Sequence, residues 1–386
     1  MLSNPLIATT LIFALIALGE WLSIVSRARV PMLLTAMVGY LVLVWTGIFP
    51  ADLLDRSQFA ALGAILIGPA ILHMGTMIPF ATLKSQYKAV LIAVGGLIVS
   101  GVLVLTIVTF LFDYPTAVAG VGPLSGGVIA LLITSEKLTE IGLASLVIIP
   151  ALIVAFQGVL GMPLAQYFLR KYAFTIQKEM DNGTFVSFNS TDSSPTEKVS
   201  SSPFKSSMTL KLFYVFVGAA IGVALGEITP INYSLWCLII GVAGLKFGIF
   251  EPKQLEKANS FNITMIGIVF VVIGTMAGVT PQDVVSNLPS VIVLMLVGTT
   301  GLCIGGYIVS KLVKWHPHKG MPVALTALFG FPADYILCEE VSRSIARNEK
   351  EEKAIFNEIL TPMLIGGFTT VTIASVVIAG ILVETL

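Results

Sequence analysis

The sequence predicts an all-α polytopic membrane protein made of two inverted repeats of five transmembrane helices, each repeat carrying a re-entrant helical hairpin. Three observations predict it. First, of 386 residues 56% are hydrophobic and 11% charged, where a soluble domain carries roughly 25% charged residues. Second, apolar stretches of about 20 residues, enough to cross a hydrocarbon core of about 30 Å, recur along the chain. Third, two such stretches are interrupted near their middle by residues unsuited to a continuous helix. They are Gly120-Val121-Gly122-Pro123-Leu124-Ser125-Gly126-Gly127 and Ala327-Leu328-Phe329-Gly330-Phe331-Pro332-Ala333-Asp334.

Taken in order, residues 5–25 form the first span, read as a retained span because it lacks a basic leader and a small-residue cleavage site. Arg27 and Arg29 follow, and Pro31 opens the second span, which ends near Pro50. Spans three and four lie at about 58–79 and 89–112. The first interrupted stretch occupies 114–138, and a long apolar run fills 141–169. Residues 173–207 are polar and rich in Ser, Thr, Lys and Asn, which marks a linker between repeats 1–172 and 208–386. The second half repeats the rhythm with spans near 209–226, 231–249, 260–278 and 285–311. A second interrupted stretch follows at 320–348 and a last span at 355–384. Gly75-Thr76-Met77 recurs as Gly274-Thr275-Met276 in the matching span, which supports an internal repeat.

Charge placement argues for hairpins over crossing helices. If each interrupted stretch enters and leaves on one face, every Lys and Arg except Arg56 and Lys137 falls on the same face. The positive-inside rule makes that face cytoplasmic. In a cell (inner) membrane both termini are then outside, the 173–207 linker is cytoplasmic, and the halves have opposite orientation. Arms of roughly 8–13 residues reach about 12–20 Å, near half the core, so both tips can meet at the midplane.

At the tips, Pro123 and Pro332 are expected to stop the first arms. Gly126 and Gly127 let a ligand approach the backbone. Ser125 and Asp334 are expected to N-cap the second arms. The N-termini of those arms suit a carboxylate, and the carbonyls ending the first arms suit a small cation. Candidate substrate contacts are therefore Ser125, Gly126, Gly127, Phe331, Pro332, Ala333 and Asp334. Candidate cation contacts are Gly122, Ser125, Thr76, Thr275, Gly330 and Asp334. A Gly-Pro break is also what a plain helix kink looks like, and Asp334 is also what a cap looks like. An ionisable residue at membrane depth is nonetheless a functional candidate.

Leu124-Ser125-Gly126-Gly127, followed after a further arm by Gly161-Met162-Pro163-Leu164-Ala165-Gln166-Tyr167-Phe168-Leu169, resembles the sodium/glutamate symporter family and, more distantly, the 2-hydroxycarboxylate transporters. The resemblance implies inverted five-span halves, a glycine-rich motif at each hairpin tip, a cytoplasmic linker and a homodimer of elevator-type carriers coupled to sodium or protons. Spans 1, 2, 6 and 7 would then form the dimeric scaffold. The sequence departs from the family at Val128 and Ile129, where small residues are expected, and at the second tip, which lacks paired glycines.

Other polar residues have plainer explanations beside functional ones. His73 fits a hydrogen-bonded interior histidine. Thr76 and Thr275 fit helix threonines bonded to the preceding turn. Asn357 and Glu358 read as a solvated helix end, with Gln157 and Thr361 deeper. Glu339 and Arg343 are spaced to pair at i, i+4, beside Glu340. Trp21, next to Glu20, reads as an interfacial anchor. Cys237, Cys303 and Cys338 read as packed small hydrophobes.

The expected activity is secondary transport of a small carboxylate or amino acid, with no cofactor beyond a coupling ion. Its partners are an anionic small molecule, membrane lipid and a second copy of the chain. The net charge is zero, with no long basic block to hold nucleic acid. The alternative is a sodium/proton antiporter with crossing broken helices and Asp334 as its ion carboxylate. An enzyme lacks sequence support, because no nucleophile elbow or metal-spaced His/Asp/Glu cluster is present. A cation-translocating subunit of a larger pump and a channel are the other readings.

Overall fold

A computed structural model describes residues 4–27, 29–77, 86–126, 128–185, 207–229, 233–274 and 280–386, and among these there is no strand. The first half contains α1 (Pro5–Val25), α2 (Met32–Trp45), α3 (Leu53–Ser57), α4 (Phe59–Met77) and α5 (Tyr87–Leu111). It continues with α6 (Tyr114–Leu124), α7 (Val128–Glu140) and, after a 3-10 turn, α8 (Ile148–Asp181). The second half contains α9 (Met208–Ile228), α10 (Tyr233–Lys246), α11 (Gln254–Lys257), α12 (Phe261–Gly274) and α13 (Pro281–Leu312). Then come α14 (Pro317–Leu325), extended by a 3-10 turn at Thr326–Leu328, and α15 (Ala333–Ile345). Last is α16 (Glu349–Phe368), joined through a π-helical stretch, Thr369–Ala374, to α17 (Ser375–Val383).

Seven of these helices are long and apolar enough to cross a membrane, and three shorter apolar ones, Met32–Trp45, Leu235–Lys246 and Phe261–Gly274, accompany them. The ten coincide in position with the ten apolar segments read from the sequence. This is the make-up of a multi-pass membrane protein.

The helix α8 differs from expectation at both ends. It starts at Ile148, after a 3-10 turn at Ala144–Leu146, and it runs on to Asp181, into the stretch read as linker. Residues 173–181 contain no Gly or Pro, and Ala173 and Ile176 are buried, so packing carries the helix onward. It ends where Gly183 turns left-handed at φ +67° and the Thr184 N–H reaches back to the Glu179 carbonyl at 2.8 Å. Of the expected linker, 186–206 lies outside the described residues.

The chain forms two compact units, each drawing on both sequence halves. The first comprises Met1–Thr10, Asp52–Gln86 and Val186–Gly274. There α4 packs on α9, α10 and α12. Glycines permit close approach of the backbones, as small residues do between helices in lipid: a Cβ on Gly267 would lie 3.1 Å from the Gly63 Cα. The short helix α11 follows Lys253, which is left-handed at φ +58°, and its first amides need acceptors. The His73 Nδ1 accepts the Leu255 N–H at 3.0 Å and the Thr76 hydroxyl accepts the Gln254 N–H at 3.3 Å. The same hydroxyl donates to the His73 carbonyl at 2.7 Å. This grouping differs from the scaffold inferred from spans 1, 2, 6 and 7. Helices α9 and α10 pack on α4, as α12 does, while residues 11–51 belong to the second unit.

The second unit comprises Leu11–Ala51, Tyr87–Phe185 and Thr275–Leu386. At its centre α5 and α13 pack along their lengths. They are antiparallel: Gly95 faces Gly305, and Ser100, which donates to the Gly298 carbonyl at 2.8 Å, faces Gly301. Both interrupted helices pack in this unit against α8, α6/α7 together with α17 and α14/α15 together with α16.

Glu358 is another difference. Expected at a solvated end, it is buried and holds Lys319 at 2.5 Å, with side chains 6% and 8% exposed. The Tyr172 hydroxyl donates to it at 3.4 Å. The partner lies 39 residues earlier, out of reach of any local pattern. Removing one member of a buried pair strands the other charge, at a cost of about 3–5 kcal/mol. Lys319→Met should therefore lower the melting temperature sharply in detergent, and adding Glu358→Leu should restore a good part of it. Additive losses in a thermal denaturation series would contradict the pairing.

Candidate functional site

The two interrupted helices break where the sequence places the breaks. Helix α6 ends at Leu124, one residue past Pro123, and α7 begins at Val128. Ser125 does not cap α7. It ends α6 in right-handed geometry, φ −77° and ψ −8°, and its hydroxyl donates to the Gly122 carbonyl at 2.6 Å. A three-residue reach back along the chain is nearer than the far side of a left-handed glycine, so the hydroxyl closes the first arm. Gly126 follows at φ +110°, a conformation that favours glycine. Gly127 lies outside the described residues.

The second tip is built differently. Its first arm tightens into the 3-10 turn before Pro332 is reached. Gly330, at φ +57°, sends its N–H to the Thr326 carbonyl at 2.7 Å. Pro332 then opens α15 as its N-cap, rather than stopping α14. A proline is at home there because the missing N–H would have no intrahelical partner. Asp334 sits in the first turn of α15 and does not act as its N-cap. Phe331 stacks on Phe368 at 6.4 Å between ring centroids, and Ala333 is buried.

The tips meet. A Cβ on Gly126 would stand 2.9 Å from the Ala327 carbonyl oxygen and 2.9 Å from the Val371 Cγ2. A Cβ on Gly330 would stand 2.9 Å from the same Val371 methyl. Val371 belongs to the π-helical stretch, so the last helix is irregular where both tips press on it. On the other side, a Cβ on Gly161 would lie 2.7 Å from the Leu328 Cβ.

The outer ends also converge, each pair by itself. At the start of α6 the Tyr114 hydroxyl is 2.6 Å from that of Thr385, and near the end of α7 Lys137 is 3.7 Å from Glu384. The start of α14 and the end of α15 both lie along the C-terminal half of α8. Lys319 stands over the Tyr172 ring at 5.7 Å, while Gln177 donates to the Ile345 carbonyl at 2.8 Å and Gln166 to Glu340 at 3.0 Å.

Among the described residues, three polar atoms in this region are buried without a hydrogen-bond partner. Asp334 has no exposure. Its Oδ1 accepts the Tyr335 N–H at 2.7 Å, whereas Oδ2 has no partner and lies 2.6 Å from where a Cβ on Gly367 would be. Among the described residues no cation pairs with it. The Thr134 hydroxyl is buried against Gly122, and the Gln157 amide oxygen is buried one helical turn before Gly161. An isolated carboxylate at such depth is costly, and a proton or a small cation relieves the cost.

Of the expected site residues, Gly122, Ser125, Gly126, Gly330, Phe331, Pro332, Ala333 and Asp334 are gathered at the tips. Thr76 belongs to the first unit, where its hydroxyl serves α11. Thr275 lies outside the described residues. Arg343, spaced to pair with Glu339, holds Glu20 at 2.8 Å. Sequence reading missed Thr134, Val371 and the Gly366-Gly367 pair. That glycine pair was the available signal for the last. No family model matches the chain, and no curated protein matches it.

Gly126→Ala meets both a left-handed backbone and the opposite tip. Gly142, at φ +81°, has open space around its Cα, so Gly142→Ala meets the backbone penalty alone, about 1–2 kcal/mol. Thermal denaturation should show the larger loss for Gly126→Ala. Equal losses would mean that the tips are not in contact.

Proposed function

We propose that the protein is a secondary active transporter. It moves a small carboxylate or an amino acid, glutamate-like in chemistry, coupled to sodium or protons by alternating access at the two tips. The observation that carries this reading is the meeting of two broken helices beside a buried carboxylate with a free oxygen. Broken backbone at membrane depth persists where it is buried in protein or lines a ligand cavity, and paired half-helices with opposed dipoles suit an anion next to a cation. The N-termini of α7 and α15 would face the substrate carboxylate. Asp334, Thr134 and the carbonyls around Gly122 and Gly330 would serve the cation.

Convergence of the outer ends supports re-entrant hairpins over crossing helices. The antiparallel α5/α13 contact supports an inverted repeat. Ser100 and Gly301 are about 200 residues apart, as are Gly75 and Gly274. The resemblance of the first tip to sodium/glutamate symporters points the same way and adds the elevator motion and the homodimer.

One observation favours a second reading. Asp334 alone, unpaired and fully buried, suits an ion carboxylate of a sodium/proton antiporter. A single experiment separates the two. Melting temperature is measured with amino acids and dicarboxylates, each in sodium and in potassium, for the wild type and Asp334→Asn. A ligand at about 100 times its Kd stabilises the folded state by about 2.7 kcal/mol. The symporter reading expects a shift with one carboxylate in sodium or at low pH. A shift with sodium or pH alone, lost in Asp334→Asn and indifferent to every carboxylate, assigns the antiporter and rejects carboxylate transport.

A further inference from the structure

A cavity of about 440 Å³ opens on the C-terminal half of α8. Gln166, Tyr167, Arg170, Lys171 and Phe174 line it from one helical face, at spacings of one, three and four residues. Arg29, from the link between α1 and α2, lines it from across. None of its three cations has a carboxylate partner among the described residues. Arg170 donates to the Ser344 hydroxyl at 3.4 Å, and Lys171 lies over the Tyr167 ring at 4.5 Å. Gln166 is 1% exposed. Its Nε2 donates to Glu340, and its Oε1 is a buried acceptor without a donor among the described residues. Tyr167 and Phe174 are each 50% exposed.

Height matters here. Residues 166–174 begin 18 positions into α8, about 27 Å along its axis, so a helix that enters the hydrocarbon near Ile148 leaves it at about this level. The cavity thus combines unneutralised positive charge, an unmet acceptor and two exposed aromatic rings at headgroup depth. Free phosphate would use the cations alone. A glycerol-bearing phosphodiester would use the cations for its phosphate, Gln166 for a hydroxyl and the ring faces for its first acyl carbons.

We propose that this cavity binds the headgroup of an anionic phospholipid, of the phosphatidylglycerol type. The site is independent of the tips and stands whether or not the transport reading does.

The test uses the full chain purified in neutral detergent. Melting temperature is followed against added phosphatidylglycerol, phosphatidylcholine or inorganic phosphate, and retained lipid is counted by native mass spectrometry. The expected result is a rise of several degrees with phosphatidylglycerol only, with one tightly retained molecule. In Lys171→Gln, at an exposed position that leaves the fold intact, half-saturation should need at least fivefold more lipid. In Arg170→Gln/Lys171→Gln the retained molecule should be lost. Equal responses to the two lipids, or unchanged retention in both variants, would overturn the proposal. So would an equal shift with inorganic phosphate alone, which would make this a soluble-anion site.

Discussion

A backbone interrupted inside a membrane must find all its hydrogen-bond partners within the protein, because lipid offers none. Much of the second unit serves this constraint. At the first tip the Ser125 hydroxyl and amide turn back onto the closing carbonyls of the first arm. At the second a 3-10 turn and the Gly330 amide do the same. The two solutions share no sequence, yet both put a left-handed glycine against one valine of the last helix. What the tips leave over is the informative part: a carboxylate oxygen, a hydroxyl and an amide oxygen, all buried and unmet.

The polar groups of the first unit have a different character. His73 and Thr76 look like site residues in a linear reading because Thr76 sits in a repeated tripeptide and His73 just before it. In the fold they supply acceptors to a helix of four residues that cannot satisfy its own amides. Their ordinary role follows from a geometry that joins positions about 180 residues apart.

Legibility in the sequence followed the range of the interaction. The apolar segments and the two breaks were readable, since Pro and Gly act on their own turn. The direction of each capping group was not. Ser125 and Pro332 each serve the arm opposite to the one expected, because the choice rests on which orphan amide or carbonyl is nearer in space. The burial of Glu358 depends on Lys319, and Arg343 depends on Glu20, both distant in the chain. The extension of α8 to Asp181 follows partners along its flank, among them the Ile345 carbonyl that takes the Gln177 amide at 2.8 Å.

The π-helical stretch before α17 alters the numbering of faces. A π turn accommodates one residue more than an α turn, and each residue of an α-helix advances about 100°. Beyond Ala374 the side chains are therefore rotated by about one position relative to a helical wheel drawn from Glu349. Past the stretch the chain still packs on the first tip, where buried Ala379 lies against Gly122. Periodicity in any residue-by-residue labelling of this segment will consequently slip by one at the place where the tips touch it.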